Sequence, residues 1–312
     1  MPERGQRNMA ERAQKEDREK QPDVSVVIVS WNARQALERC LDSLFARHPQ
    51  LGLDVVVVDN QSDDGTAAMV RQRYPGIGLI ENFGNLGFAA ACNHGLNVID
   101  QNSPYVLVLN PDIYFTQDVL GPLIEFLGRE VEAHVVTPRI LNPDGSLQRT
   151  CRRRDPTVLS LLCSLGGRAD FSLPFRRIPS YTYDDLPPDE THEIEAASGS
   201  FLLMKRMVLV DTGGFDDRYY MYAEDLDWCL TARRIGFRIF FFPQVSVYHD
   251  KGTSSRQRPV RALWHMHCTA VQYVAKNRRQ DYVLPARLAI YAALWLLFAL
   301  RLPSILFKKN TD

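Results

Sequence analysis

Three carboxylates crowd into one stretch of the chain, Glu224, Asp225 and Asp227, directly behind the aromatic and apolar run Tyr219-Tyr220-Met221-Tyr222. A carboxylate is costly to desolvate, so their position needs a reason. One reason is chemical: a carboxylate held beside bulky rings is a general base whose pKa burial can raise. The other is local. Acids in the first turn of a helix interact favourably with its dipole, and Leu226, Leu230 and Arg233 share one helical stripe with Cys229 and Ala232 close by. The two are compatible, because a helix start at a cleft is a rigid mount for a base.

Three further groups have usable chemistry. Asp59 ends an apolar run and opens Asp-Asn-Gln-Ser-Asp-Asp-Gly-Thr; an Asp there can accept the imide N–H of a pyrimidine or a ribose hydroxyl. Asp112 closes Asn110-Pro111-Asp112 after Tyr-Val-Leu-Val-Leu, where a hard carboxylate oxygen suits Mg²⁺ or Mn²⁺ that also binds a diphosphate. His249 closes Phe-Arg-Ile-Phe-Phe-Phe-Pro-Gln-Val-Ser-Val-Tyr-His, and imidazole can serve Mn²⁺, with Lys251 and the hydroxyls of Thr253, Ser254 and Ser255 beyond it for phosphate. Singly, each has a plainer reading: a turn or helix cap for Asp59, a proline turn for Asp112, a packed imidazole for His249.

The elements that must position these residues follow from periodicity. Val24–Asn32 is a β-branched apolar run and reads as a buried strand; the stretch after it has Ala36, Leu37, Cys40, Leu41, Leu44 and Phe45 at helical spacing. Leu-Asp-Val-Val-Val-Val-Asp, Ile-Gly-Leu-Ile-Glu-Asn and Tyr-Val-Leu-Val-Leu repeat the strand signal, with helical stretches from Thr66 and Phe88 between them. Alternating strands and helices predict a mostly parallel sheet with helices on both faces, and ligands bind at the carboxyl ends of such strands, where Asp59, Asn82 and Asp112 stand.

The 312 residues suit one large α/β domain or two small ones, and Lys plus Arg balance Asp plus Glu at 37 each, which argues against a nucleic-acid surface. Cysteines 40, 92, 151, 163, 229 and 268 form no paired spacing, as in a reducing compartment. Residues 1–22 read as a disordered charged tail, 23–260 as the catalytic domain and 261–312 as a helical C-terminal segment. Between about 150 and 192 the pattern turns irregular and begins with Arg149, Arg152, Arg153 and Arg154, a cluster that would suit a lipid-linked diphosphate or a membrane surface. Leu288–Leu300 is wholly apolar but for a Tyr hydroxyl, too short for the ~20 residues a bilayer crossing needs, and Arg301 and Pro303 interrupt it. Flanked by Arg287, Arg301, Lys308 and Lys309, it reads as a helix lying in a membrane interface or as a buried terminal helix.

The order of these segments carries more than any one of them. VSVVIVSWN, VVVVDNQSDDGT, ENFGNLGFAAACNHG, VLVLNPD, GSFLLMKR, GGFDDRYYMYAEDLDWCL and VYHDKGTSS, running from Val24 to Ser255, resemble the family 2 glycosyltransferases, and within them the bacterial rhamnosyltransferase-like branch. The resemblance implies a GT-A fold and inverting transfer from a nucleotide-sugar. By position it implies Asp225 as catalytic base, with Glu224 and Arg233 supporting it or meeting the acceptor. Asn32, Asp59, Asn85, Asn93 and Asn110 fall on the donor side, and Asp112 with His249 would hold Mg²⁺ or Mn²⁺.

Two departures stand out: the metal motif reads Asn110-Pro111-Asp112 and lacks its first carboxylate, and Arg233 stands in for an arginine the family often places nearer the acids. The expected reaction moves L-rhamnose from dTDP-rhamnose to a saccharide, lipid-linked through a polyprenyl diphosphate, on the cytoplasmic face of the inner membrane. A UDP-hexose or UDP-N-acetylhexosamine donor and a catalytically silent sugar-nucleotide binder are the alternatives. A Rossmann dehydrogenase is disfavoured, because no Gly-rich fingerprint follows the first strand.

Overall fold

A computed structural model describes residues 21–166, 181–251 and 259–308 of the chain. The expectations placed on the tail up to residue 20, on the middle of the irregular stretch, on Thr253, Ser254 and Ser255 and on Lys309 lie outside the described residues.

Val24–Ser30 forms β1, and all 7 of its residues are buried. β-Branched side chains suit a strand covered on both faces. Helix α1 (Arg34–Arg47) follows, burying Leu37, Cys40, Leu41 and Leu44 along one stripe. Next come β2 (Leu53–Asp59), α2 (Thr66–Arg73), β3 (Gly78–Glu81), α3 (Phe88–Leu96) and β4 (Tyr105–Leu109). β2 and β4 flank β1 in parallel, and β3 lies parallel outside β2. The chain therefore leaves β1 to one side and returns to the other, which opens a crevice at the carboxyl ends of these strands. α3 packs tightly on this half: a Cβ on Gly95 would lie 2.5 Å from Val27 Cγ1.

The second half adds β5 (Ile113–Tyr114), α4 (Leu120–Arg129), β6 (Ala133–Leu141), β7 (Arg152–Arg153), α5 (Val158–Leu165), β8 (His192–Ile194), β9 (Ala196–Ala197), β10 (Phe201–Lys205), α6 (Arg206–Thr212), α7 (Glu224–Arg234) and β11 (Arg238–His249). The main sheet runs β3-β2-β1-β4-β10-β6-β11-β5, with β8 pairing β11, and β7 pairs β9 in a small separate ribbon. β10 runs antiparallel to both β4 and β6, so the sheet is mostly parallel with an antiparallel strand inside it. α4 buries Leu120, Leu123 and Leu127 at helical spacing, which seats it against the sheet.

Helices α8 (Pro259–Asn277) and α9 (Leu284–Lys308) pack with α5 around Val158, Leu165, Ala270, Val274 and Leu294. Two expectations for the C-terminus are corrected. The helix is not interrupted at Arg301 and Pro303 but runs through both, Arg301 Nη1 donating instead to Leu165 O at 2.6 Å on the end of α5. Nor is it buried: Leu284–Leu306 is 23 residues of mean hydropathy 1.8, long and apolar enough to cross a membrane, and 6% of its most apolar window lies inside the protein.

Candidate active site

One cleft opens at the carboxyl ends of β1 and β4 and collects Trp31, Asn85, Asn110, Asp112, Glu224, Asp225 and His249. Its acidic wall depends on a strained turn. Tyr222 (φ 72°) and Ala223 (φ 63°) are successive non-glycine residues in the left-handed region, a conformation that costs roughly 1–3 kcal/mol each and persists where the surroundings enforce it. Ala223 is the residue before α7, so the turn puts Glu224 and Asp225 at the first helical positions, at the cleft.

The three acids have different surroundings. Asp227 is buried and tied: Tyr219 Oη–H (3.2 Å) and Asn277 Nδ2 (2.7 Å) donate to Oδ1, and Lys276 Nζ (2.6 Å) to Oδ2. It joins α7 to the end of α8. Asp225 Oδ2 accepts from Arg153 Nη2 at 2.7 Å and from the Gly199 amide at 2.9 Å, while among the described residues Oδ1 accepts only the adjoining Leu226 amide at 2.8 Å. One oxygen is thus held and the other keeps a lone pair. Glu224 is 7% exposed, and its Oε2 is buried with no hydrogen-bond partner among the described residues. Burial first, and the charge of Asp225 second, push its carboxyl up to about 8, so Glu224 is largely protonated at neutral pH.

Arg153 is the residue that the irregular stretch concealed. As neighbours on β7, Arg152 and Arg153 take opposite faces. Arg152 donates to Leu186 O (3.1 Å) and Pro187 O (3.0 Å), and Arg153 reaches Ala197 O (2.6 Å) as well as Asp225. Arg149 pairs with Asp184, and Arg154 with Asp185 at 2.7 Å. The cluster is therefore not a free cationic face for a lipid diphosphate; each arginine is engaged within the protein. Arg233 does not line the cleft, and its nearest carboxylate is Glu195 Oε2 at 3.7 Å. The guanidinium beside the acids is that of Arg153.

Across the cleft, Asp112 Oδ1 lies 3.0 Å from His249 Nε2. The pairing of β5 with β11 places Ile113 opposite His249 and so brings the two together. Gln148 lies behind the imidazole. Its Nε2 donates to His249 O at 2.8 Å and its Oε1 stands 2.9 Å from His249 Nδ1. The carbonyl can only accept, so the amide orientation is set and Nδ1 carries the proton donated to Oε1. In the neutral ring Nε2 then presents a lone pair to Asp112 Oδ1, itself buried and without a hydrogen-bond donor among the described residues. Two facing acceptors call for a positive species between them, either a proton or a cation. The pair fits Mg²⁺ or Mn²⁺, and Gln148 supplies the outer hydrogen bond that a ligating histidine needs. Among the described residues no third His, Cys, Asp or Glu joins such a group, so further ligands would come from a bound diphosphate and water.

The asparagines divide. Asn85 Oδ1 accepts from Asn60 Nδ2 (3.1 Å), the Gly87 amide (3.1 Å) and Tyr220 Oη–H (2.9 Å), which orients its amide nitrogen as the remaining donor. Gly87 makes this possible: with φ +86° and a would-be Cβ 2.2 Å from Tyr220 O, no side chain fits. Asn110 lines the cleft beside Asp112. Among the described residues Asp59 Oδ1 is buried and unpaired while Oδ2 accepts the Ser62 amide at 3.3 Å, and burial raises its pKa; an acceptor so placed suits an incoming N–H. Asn32 Oδ1 accepts the Asp63 amide at 2.8 Å and braces the loop after β2. Asn93 does not reach the cleft, both ends of its amide being bonded to the Phe215 main chain at 2.8 Å. Gln148 and Arg153 had no periodic signal to mark them.

The model of the family described as "Glycosyl transferase family 2" matches residues 25–212, which include Asp59, Asn85 and Asp112 and stop short of the acids. Pairwise similarity reaches further. The chain is 30% identical over 282 residues to the N-acetylglucosaminyl-diphospho-decaprenol L-rhamnosyltransferase of Mycobacterium tuberculosis, covering 86% of this chain and 89% of that one. It is 26% identical to the rhamnosyltransferase WbbL of Escherichia coli K12, covering 82% and 94%. Among solved structures it resembles the mannosyltransferase PcManGT of Pyrobaculum calidifontis in complex with GDP-Man and Mn²⁺ (TM-score 0.53, 19% identity, 93% and 79% covered) and TarS of S. aureus, residues 1–349 (TM-score 0.51, 16% identity, 88% and 70%). The sheet is that of the GT-A fold, and the chain belongs to glycosyl transferase family 2.

Proposed function

We propose that the protein transfers L-rhamnose from dTDP-rhamnose, with inversion, to a hydroxyl of a saccharide carried on a polyprenyl diphosphate at the cytoplasmic face of a membrane. The observation that carries the chemistry is the meeting, in one cleft, of the Asp112–His249 pair with the Glu224–Asp225 acids. The rhamnosyl group rests on the names of both relatives above and the lipid acceptor on that of the Mycobacterium tuberculosis one; the membrane rests on the exposed apolar α9.

In this reading Asp59 and Asn85 hold the nucleotide, with Asn110 at the diphosphate and Asn32 bracing the loop. Asp112 and His249 would hold Mg²⁺ or Mn²⁺, which as a Lewis acid eases departure of the nucleoside diphosphate. Arg153 and the Gly199 amide orient Asp225, whose free Oδ1 lone pair takes the proton as the acceptor oxygen attacks the anomeric carbon. Protonated Glu224 donates to a sugar hydroxyl.

Donor-dependent thermal stabilisation with Mn²⁺ tests the reading, because ligand binding raises apparent stability by mass action. dTDP-rhamnose should stabilise the protein most and support transfer. Stabilisation and transfer with UDP-N-acetylglucosamine or a UDP-hexose alone would replace the donor. Binding with no transfer to any acceptor would favour a silent binder.

A further inference from the structure

With the four arginines of the irregular stretch engaged, the other cations lining the cleft among the described residues are Lys251, whose pKa burial lowers, and Arg261. α8 supplies the second. Arg261 and His265, one turn apart, line the cleft. Arg261 Nη2 donates to Tyr220 Oη at 3.3 Å and Nε to His265 Nε2 at 3.3 Å, and among the described residues it has no carboxylate partner. His265 stacks on Tyr220 with ring centroids 4.2 Å apart; burial and then the Arg261 charge lower its pKa, leaving it neutral and Arg261 as the charge. The same helix carries apolar surface immediately alongside. Trp264 is 47% exposed and meets Trp295 and Phe298 of α9 at 4.9 and 5.6 Å between ring centroids, and Leu288, Leu296 and Leu300 of α9 are exposed beyond.

We propose that Arg261 on α8 binds the diphosphate of a prenyl-linked acceptor whose hydrocarbon chain runs from the cleft lip over Trp264 onto α9. The occupant follows from the juxtaposition: a guanidinium with no carboxylate partner among the described residues, the donor fork suited to phosphate, lies three residues along the helix from the exposed Trp264 and the aliphatic surface beyond it, and a prenyl diphosphate has both halves in covalent connection. An amphiphile of this kind gains from both patches at once, whereas a free phosphate uses only the first and an uncharged lipid only the second. This rests on the proposed glycosyl transfer to a lipid-linked saccharide and names which residues meet the lipid.

The experiment is titration of the full chain with farnesyl diphosphate, followed by tryptophan fluorescence, beside inorganic diphosphate, farnesol, phosphatidylglycerol vesicles and UDP. Farnesyl diphosphate should bind more tightly than inorganic diphosphate or farnesol. Arg261→Ala should weaken farnesyl diphosphate by roughly tenfold and leave UDP within about twofold, and Arg261→Lys should recover part of the loss. Trp264→Ala should weaken farnesyl diphosphate and leave inorganic diphosphate unchanged. Unchanged affinity for farnesyl diphosphate in Arg261→Ala overturns the proposal, as does an equal loss for UDP, which would put Arg261 on the donor. Equal loss of vesicle and farnesyl diphosphate binding in that variant also overturns it, in favour of a headgroup site. The underlying reading fails separately: a wild-type protein that binds farnesyl diphosphate and transfers no sugar keeps the binding site and loses the reaction.

Discussion

Gln148 holds His249 at both ends, donating to its carbonyl at 2.8 Å and accepting from its Nδ1–H at 2.9 Å. A single amide thus fixes where the ring lies and which nitrogen faces Asp112. Replacing it with Ala should leave the fold intact and lower Mn²⁺ affinity in the presence of nucleotide by about 10–100-fold, the usual cost of losing an outer partner of a ligating histidine. Electron paramagnetic resonance of free Mn²⁺ measures the loss. ¹⁵N chemical shifts of His249 should show the Nδ1–H tautomer in the wild type and a mixture in the variant. An unchanged tautomer and affinity would reduce Gln148 to packing.

The Arg153–Asp225 pair makes a second prediction. Asp225→Asn should slow transfer by about 10²–10⁴-fold with donor affinity retained. Arg153→Ala leaves a carboxylate with reduced compensation in a buried place and should cost about 3–5 kcal/mol of stability. If the pair is the cause, Arg153→Ala should cost much less in the Asp225→Asn background, as a denaturant-based double-mutant cycle would show. Additive losses would mean that Arg153 matters mainly through Ala197 O.

Glu224 has a pH signature. Its folded pKa is raised to about 8 from 4.5, so the folded state binds the extra proton between those values. Its share of stability is present below pH 4.5 and is lost as the pH rises towards 8. Glu224→Gln, which mimics the protonated acid, should therefore gain about 2–4 kcal/mol over the wild type at pH 8.5 and little at pH 4.5. Activity should fall with ionisation of Glu224 if it donates a hydrogen bond. A limb that instead rises near pH 8 and vanishes in Glu224→Gln would transfer the role of base from Asp225 to Glu224.

The proposed membrane attachment through α9 is open to a direct measurement. Leu288→Glu with Leu296→Glu and Leu300→Glu places charge on exposed apolar positions and should abolish co-flotation with anionic vesicles while UDP binding persists. Carbonate extraction of the wild type separates a helix lying in the interface, which is released, from one that spans. Retained flotation of the triple variant would remove α9 as the anchor.

Much of the first half was readable because its signals are local. β1, β2 and β4 are valine-rich apolar runs, and their ends deliver Asp59, Asn110 and Asp112 to one edge of a parallel sheet. The acids at 224–227 were legible as a helix start for the same reason. β10 was harder to foresee as an antiparallel insert, since a strand's direction depends on the route of the chain and leaves no mark in its composition. α9 exceeded its apolar core because helix continuation through Pro303 is decided by neighbouring contacts, such as that of Arg301 with α5, more than by propensity.

The chain's residue order by itself determined the chemistry available: which carboxylates and which imidazole arrive at the sheet edge, and the family to which that order belongs. Tertiary structure decided what each can do there. Arg153, Gln148 and Arg261 come from segments far from the residues they serve, and only packing brings Arg153 to Asp225, Gln148 to His249 and Arg261 to Tyr220. Those contacts govern ionisation, tautomer and free charge, because electrostatics and hydrogen bonding act over a few ångströms of space and take no account of separation along the chain.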